Sequence, residues 1–169
     1  MEHVEFQGWT FEFNKEVTTE YYANLHYDCS CASCRNFHKN IHEMPLDVKE
    51  FLENFGIDIN NPIEKKSVIA IKDENKVEHE VCYCVKGIPK SMEGYEIDIG
   101  PVQIVIYDHK NMKGIPHIKM QNPYFVFVIY NMYFPWTVDE DIDEIYPEHQ
   151  IRKKFLQKIL MKIFRSKRI

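Results

Sequence analysis

At 169 residues, with 44% hydrophobic and 14% aromatic side chains, the chain has the length and composition of one folded domain, which excludes a disordered class. No run of about 18 apolar residues occurs, excluding a membrane-spanning helix, and a net charge of −5 argues against a general nucleic-acid binder. Met1-Glu2-His3-Val4-Glu5-Phe6 lacks the basic-then-apolar order of an export signal, so a cytoplasmic location is expected, with five cysteines held mostly as thiols.

Val4 and Phe6, then Trp9, Phe11 and Phe13, alternate with polar residues around Gly8 and predict a hairpin or two short strands. Asn14 is placed to cap a helix over 15–25. A second helix is expected to open at Cys34, with Phe37, Ile41 and Met44 inward, and to stop at Pro45. A third covers 47–55, with Val48, Phe51, Leu52 and Phe55 inward and Gly56 as its C-terminal cap. The second half reads as strands. Segments 67–72 and 76–85 flank the turn Asp73-Glu74-Asn75. Segments 95–99 and 102–107 are parted by Gly100-Pro101, and the apolar run 124–130 suits a central strand. Tyr133, Phe134 and Trp136 form an aromatic corner that closes a core or offers a recognition patch. The expected fold is α+β, an antiparallel sheet with helices on one face, over residues 1–146.

Cys29, Cys31 and Cys34 place three thiols within six residues, close enough to converge on one ion. Zinc takes four ligands in a tetrahedron and favours thiolate in structural sites. A turn entering a helix N-terminus favours thiolate charge. The fourth ligand is local or distant. His38 and His42 lie four and eight residues beyond Cys34 on one helical face. Cys82 and Cys84 point to one side of a strand, and Cys84 is favoured because it lies nearer the strand end at Gly87. The candidate metal set is therefore Cys29, Cys31, Cys34, Cys84 and His38. Buried, inert thiols are the plain alternative. A Cys31-Ala32-Ser33-Cys34 redox pair is a third, although no βαβ pattern surrounds it.

The stretch Cys29-x-Cys31-x-x-Cys34-Arg35-Asn36-Phe37, followed by a helix after Pro45 that ends Phe55-Gly56-Ile57-Asp58, resembles a family of small uncharacterised bacterial proteins. They share a Cys-x-Cys-x-x-Cys-x-Asn-Phe element and a Leu-Gly-Ile-Asp helix end; here Phe55 stands at the leucine. The resemblance covers about residues 27–62 and implies a grouping, with no mechanism attached. The segment beyond residue 150 lies outside it.

Other candidate chemistry is sparse. Asp108, His109 and His117 surround the loop 110–114, which reads as a solvated polar loop ahead of an acid–base pair. Cys34 with His38 lacks the third group that orients a nucleophile pair. No Gly-rich phosphate loop, His-Glu-x-x-His or Gly-x-Ser-x-Gly occurs.

Charge is unevenly spread. Residues 151–169 carry eight of the 21 basic residues and none of the 26 acidic ones. Within residues 147–169, an apolar stripe (Ile151, Phe155, Ile159, Ile163) faces a lysine-rich side, so an amphipathic helix is expected there. The first reading docks it on the domain's own sheet. A partner-binding helix comes second, and a membrane-surface helix over 151–168 third. Acidic residues 139–148 are expected to pair with this tail.

Two functions follow. The first is a non-enzymatic protein-binding protein, such as an inhibitor, immunity or accessory protein of a bacterium or phage, with a structural zinc at the cysteine cluster and a protein partner. That reading is by analogy. The second is a thiol- or metal-dependent enzyme using the same cluster.

Overall fold

The computed structural model describes residues 1–26, 29–91, 96–110 and 118–147. The element order confirms the α+β class. β1 (Glu2–Phe6) and β2 (Trp9–Phe13) form the expected hairpin. Gln7 and Gly8 both take positive φ, 46° and 80°, the two-residue turn whose twist matches its strands. Asn14 caps α1 (Lys15–Ala23), its side chain accepting from the Val17 N–H at 3.0 Å.

α2 (Ala32–Asn40) opens two residues before the expected start at Cys34. Cys31 takes an extended cap conformation, and its carbonyl accepts from the Arg35 N–H at 3.0 Å. A 3-10 turn over Ile41–Glu43 ends the helical path before Pro45. α3 (Leu46–Asn54) then lies close to its expected place, with Val48, Phe51 and Leu52 buried.

β3 (Glu64–Ile71) and β4 (Lys76–Ser91) pair antiparallel around Asn75, which adopts φ 51° in their turn. β5 (Glu96–Ile99), β6 (Val102–Asp108) and β7 (Tyr124–Pro135) follow. β7 runs five residues past the expected 124–130. It takes in Tyr133 and Phe134, and Asn131 at φ 61° absorbs a bulge along the way. A single turn of helix, α4 (Ile142–Ile145), closes the described chain.

Among the described residues the seven strands form one sheet in the order β1-β2-β4-β7-β6-β5, with β3 beside the first half of β4. Every neighbouring pair is antiparallel. The sheet curls until its ends meet: the Gln7 amide donates to the Asp98 carbonyl at 2.8 Å and accepts from the Asp98 N–H at 3.3 Å. The first three helices fill the concave side. Phe51 of α3 and Phe55 at its C-cap pack among Phe11, Phe125 and Phe127, with Phe11 and Phe55 edge to face at 5.1 Å. On the other face Cys82, Cys84, Val126 and Val128 make a smaller cluster under Ile63 and Met120.

In the aromatic corner, Phe134 and Trp136 are buried and close the core, whereas Tyr133 is exposed. The acidic stretch pairs with the body: Glu140 with Arg35 and Asp143 with Lys72. His117 and the amphipathic stripe of 151–168 lie outside the described residues.

Candidate metal centre

The segment Cys34-Arg35-Asn36-Phe37 is fixed side chain by side chain. Arg35 donates to the Ser30 carbonyl and pairs with Glu140, tying the loop before α2 to the chain after β7. Asn36 is fully buried despite its polarity. Its amide donates to the Pro135 carbonyl at 3.1 Å, and its oxygen accepts from the Thr137 N–H at 2.8 Å. Asn40, one turn on, bonds Thr137 Oγ1 at 2.9 Å. Phe37 enters the core against Phe134. Together these contacts lock α2 to the end of β7 and aim its N-terminus.

At that N-terminus the sulfurs of Cys29, Cys31 and Cys34 lie within 4.8 Å of one another, close enough to hold a metal ion. Thiolates about 2.3 Å from a tetrahedral zinc stand about 3.8 Å apart, so the cluster needs little adjustment. Cys31 sits at the helix cap and spends no side-chain bond on capping. Cys29 and Cys31 are exposed and their sulfurs are 3.4 Å apart, while Cys34 is buried. The hydrogen bond from Cys34, followed by the Cys31 backbone N–H, pulls the Cys29 thiol down to about 7. Burial pushes Cys34 up to about 11. Near neutral pH the Cys29 thiol is therefore partly ionised, while Cys34 keeps its proton.

Sequence reading missed the groups beneath the cluster. Lys65 of β3 is only 9% exposed, lowers the Cys34 thiol against the upward push of burial, and lies 4.7 Å from the centre of the Phe37 ring. Its charge also lowers the Cys29 thiol. Beside it, the Ser33 and Ser67 hydroxyls are in contact, and Ser67 Oγ is 3.5 Å from His79 Nδ1. His79 is fully buried between Phe37 and Phe134, each 5.6 Å away. Burial first, and Lys65 second, lowers it to about 3, so its imidazole is neutral. One signal was legible: His79 shares the inward parity of Val77, Val81, Tyr83 and Val85.

The two candidate fourth ligands fall differently. His38 lies one turn past Cys34 on α2 and is lowered by partial desolvation and then by Lys65. Cys84 is set apart. Lys65 pairs with Val81 on the face under the helices, while Cys82 and Cys84 belong to the cluster on the opposite face. The sheet therefore lies between Cys84 and the three sulfurs. Burial pushes Cys84 up to about 12. Asp108 and His109 are paired at 2.8 Å, away from the cluster's ligand group.

The class the fold and site define is an α+β protein whose three clustered cysteines can hold a metal ion. No family profile, curated protein or solved structure matches the chain. No helix among the described residues is long and apolar enough to cross a membrane.

Proposed function

We propose that the chain is a non-enzymatic protein-binding protein stapled by zinc at Cys29, Cys31 and Cys34, with His38 as the local fourth ligand. The observation that carries this is the convergence of three sulfurs over the buried Lys65. Three thiolates and Zn(II) sum to one negative charge, which the Lys65 ammonium offsets, and a neutral imidazole completes the tetrahedron without adding charge. A structural ion would bind the turn before α2 to the helix and stabilise the fold on loading.

The outer sheet face supports the partner reading. Tyr133 and Val68 are 43% and 37% exposed, and Tyr133 stands opposite Glu78. Tyr130 stands near Glu80 on the same face. Aromatic residues among acids suit a basic, apolar segment of a protein partner. A cytoplasmic setting, which keeps thiols reduced, belongs to the same proposal.

A thiol- or metal-dependent enzyme is the second reading, favoured by the exposed Cys29 with its thiol lowered to about 7. Elemental analysis tests the metal that the first reading requires, and dependence of a partner on the outer face tests its function. Protein purified without chelator should hold about one zinc, and the Cys34→Ser variant much less, with a lower melting temperature. Wild type with less than about a tenth of an equivalent would overturn the metal proposal. Full metal content with no partner that depends on Tyr133 and Glu78 would favour the enzyme.

A further inference from the structure

α1 spends only part of its surface on the core. Thr18 and Tyr22 are buried, but Val17 and Tyr21, spaced i, i+4, form a second apolar stripe along another side of the helix, continued by Leu25 just beyond its end. This stripe faces Ile63 and Met120 across a cleft of about 970 Å³, within the range of small-molecule sites. Val17, on the near wall, is 38% exposed.

The lip of the cleft is basic. Lys86 and Lys119 line it, with Glu20 the only acid among its lining residues. Residues 1–150 as a whole carry twice as many acidic as basic residues, so two lysines against one acid run counter to the body's charge. Lys86 is held in place by the carbonyls of Gln121 and Asn122, at 3.0 and 2.9 Å. Carbonyls orient an ammonium without neutralising it, and its third N–H stays available. Neither lysine forms an ion pair among the described residues. The chain's own basic tail is the wrong sign for this lip.

We propose that the cleft binds a small organic anion, with a carboxylate at Lys86 and Lys119 and an apolar body laid along Val17, Tyr21, Leu25, Ile63 and Met120. An aliphatic chain of about ten carbons fits a cleft of this size. The site uses none of the cluster's cysteines, so it stands or falls apart from the zinc proposal.

Calorimetric titration of the full chain with decanoate, decan-1-ol and decyltrimethylammonium tests it. Decanoate should bind at micromolar to sub-millimolar concentration, with the alcohol at least about tenfold weaker and the cation weaker still. Lys119→Met should weaken decanoate at least about fivefold, and Glu20→Gln should tighten it. Val17→Asp, on an exposed side chain, should abolish binding without lowering the melting temperature. Equal affinity for acid and alcohol, an unchanged Lys119→Met variant, or no decanoate binding up to about 1 mM would overturn the proposal. Displacement of decanoate by a peptide of residues 151–169 would overturn it as well, by making the tail the occupant.

Discussion

Lys65 is the residue on which the metal centre turns. An ammonium that is 9% exposed is expensive unless an anion stands beside it, and Cys29, its thiol lowered to about 7, is the anion in reach, joined by the Cys34 thiolate once zinc displaces its proton. Lys65→Met should therefore weaken zinc binding by about 10- to 100-fold, read by competition with a chelator. An unchanged affinity would remove Lys65 from the site. His79 gives a separate prediction. Its folded value of about 3 lies below its unfolded value of about 6.5, so below pH 6.5 the unfolded chain binds a proton that the folded chain refuses. Stability should fall as pH drops from about 6.5 toward about 3, by up to about 1.4 kcal/mol per unit, and His79→Phe should flatten that slope in denaturant titrations. Lys65 was not legible from the sequence for a physical reason. The bulge between Ser67 and Ile69 shifts the register of β3, so alternation counted back from the buried Ala70 puts Lys66 inward and Lys65 outward.

At the scale of elements, α2 is the joint that holds the site, and the β2–β4 seam joins the N-terminal hairpin to the rest of the sheet. Asn36 satisfies the backbone of both Pro135 and Thr137 from a fully buried position. Asn36→Ala should destabilise by about 1–3 kcal/mol and also loosen the metal site, because α2 carries Cys34. A loss of stability with metal affinity unchanged would show that the anchor does not aim the thiols. Gly87, opposite Phe13, leaves no room for a side chain. A Cβ there would stand 2.2 Å from the Glu12 carbonyl oxygen and 2.7 Å from Phe13 Cα. Both are backbone atoms of a paired strand, so Gly87→Ala should destabilise by at least about 2 kcal/mol in denaturant unfolding. The hairpins, α1 and α3 were legible because their turns and caps are local: Gly8, Asn14, Asn75 and Gly56 mark them in sequence. The start of α2 and the length of β7 were not. The first depends on the backbone at Cys31, and the second on a bulge at Asn131 paid back by contacts with distant β4.

For the whole molecule, the curled sheet decides which cysteines can meet. It brings β3 and α2 together around the three sulfurs and turns Cys82 and Cys84 to the other face. Sequence spacing could place Cys29, Cys31 and Cys34 together, but not choose between the sides of a strand whose apolar residues fill both. Because Cys34 holds its proton to about 11, zinc must displace protons to bind. Zinc affinity should fall at least about tenfold for each pH unit lost below 7, with proton release seen in buffers of different ionisation enthalpy. X-ray absorption at the zinc edge of the loaded full chain tests the central claim most directly. The account predicts three sulfurs at about 2.3 Å and one nitrogen at about 2.0–2.1 Å, the nitrogen lost in His38→Ala. Four sulfurs, or zinc bound by nitrogen and oxygen alone, would contradict it.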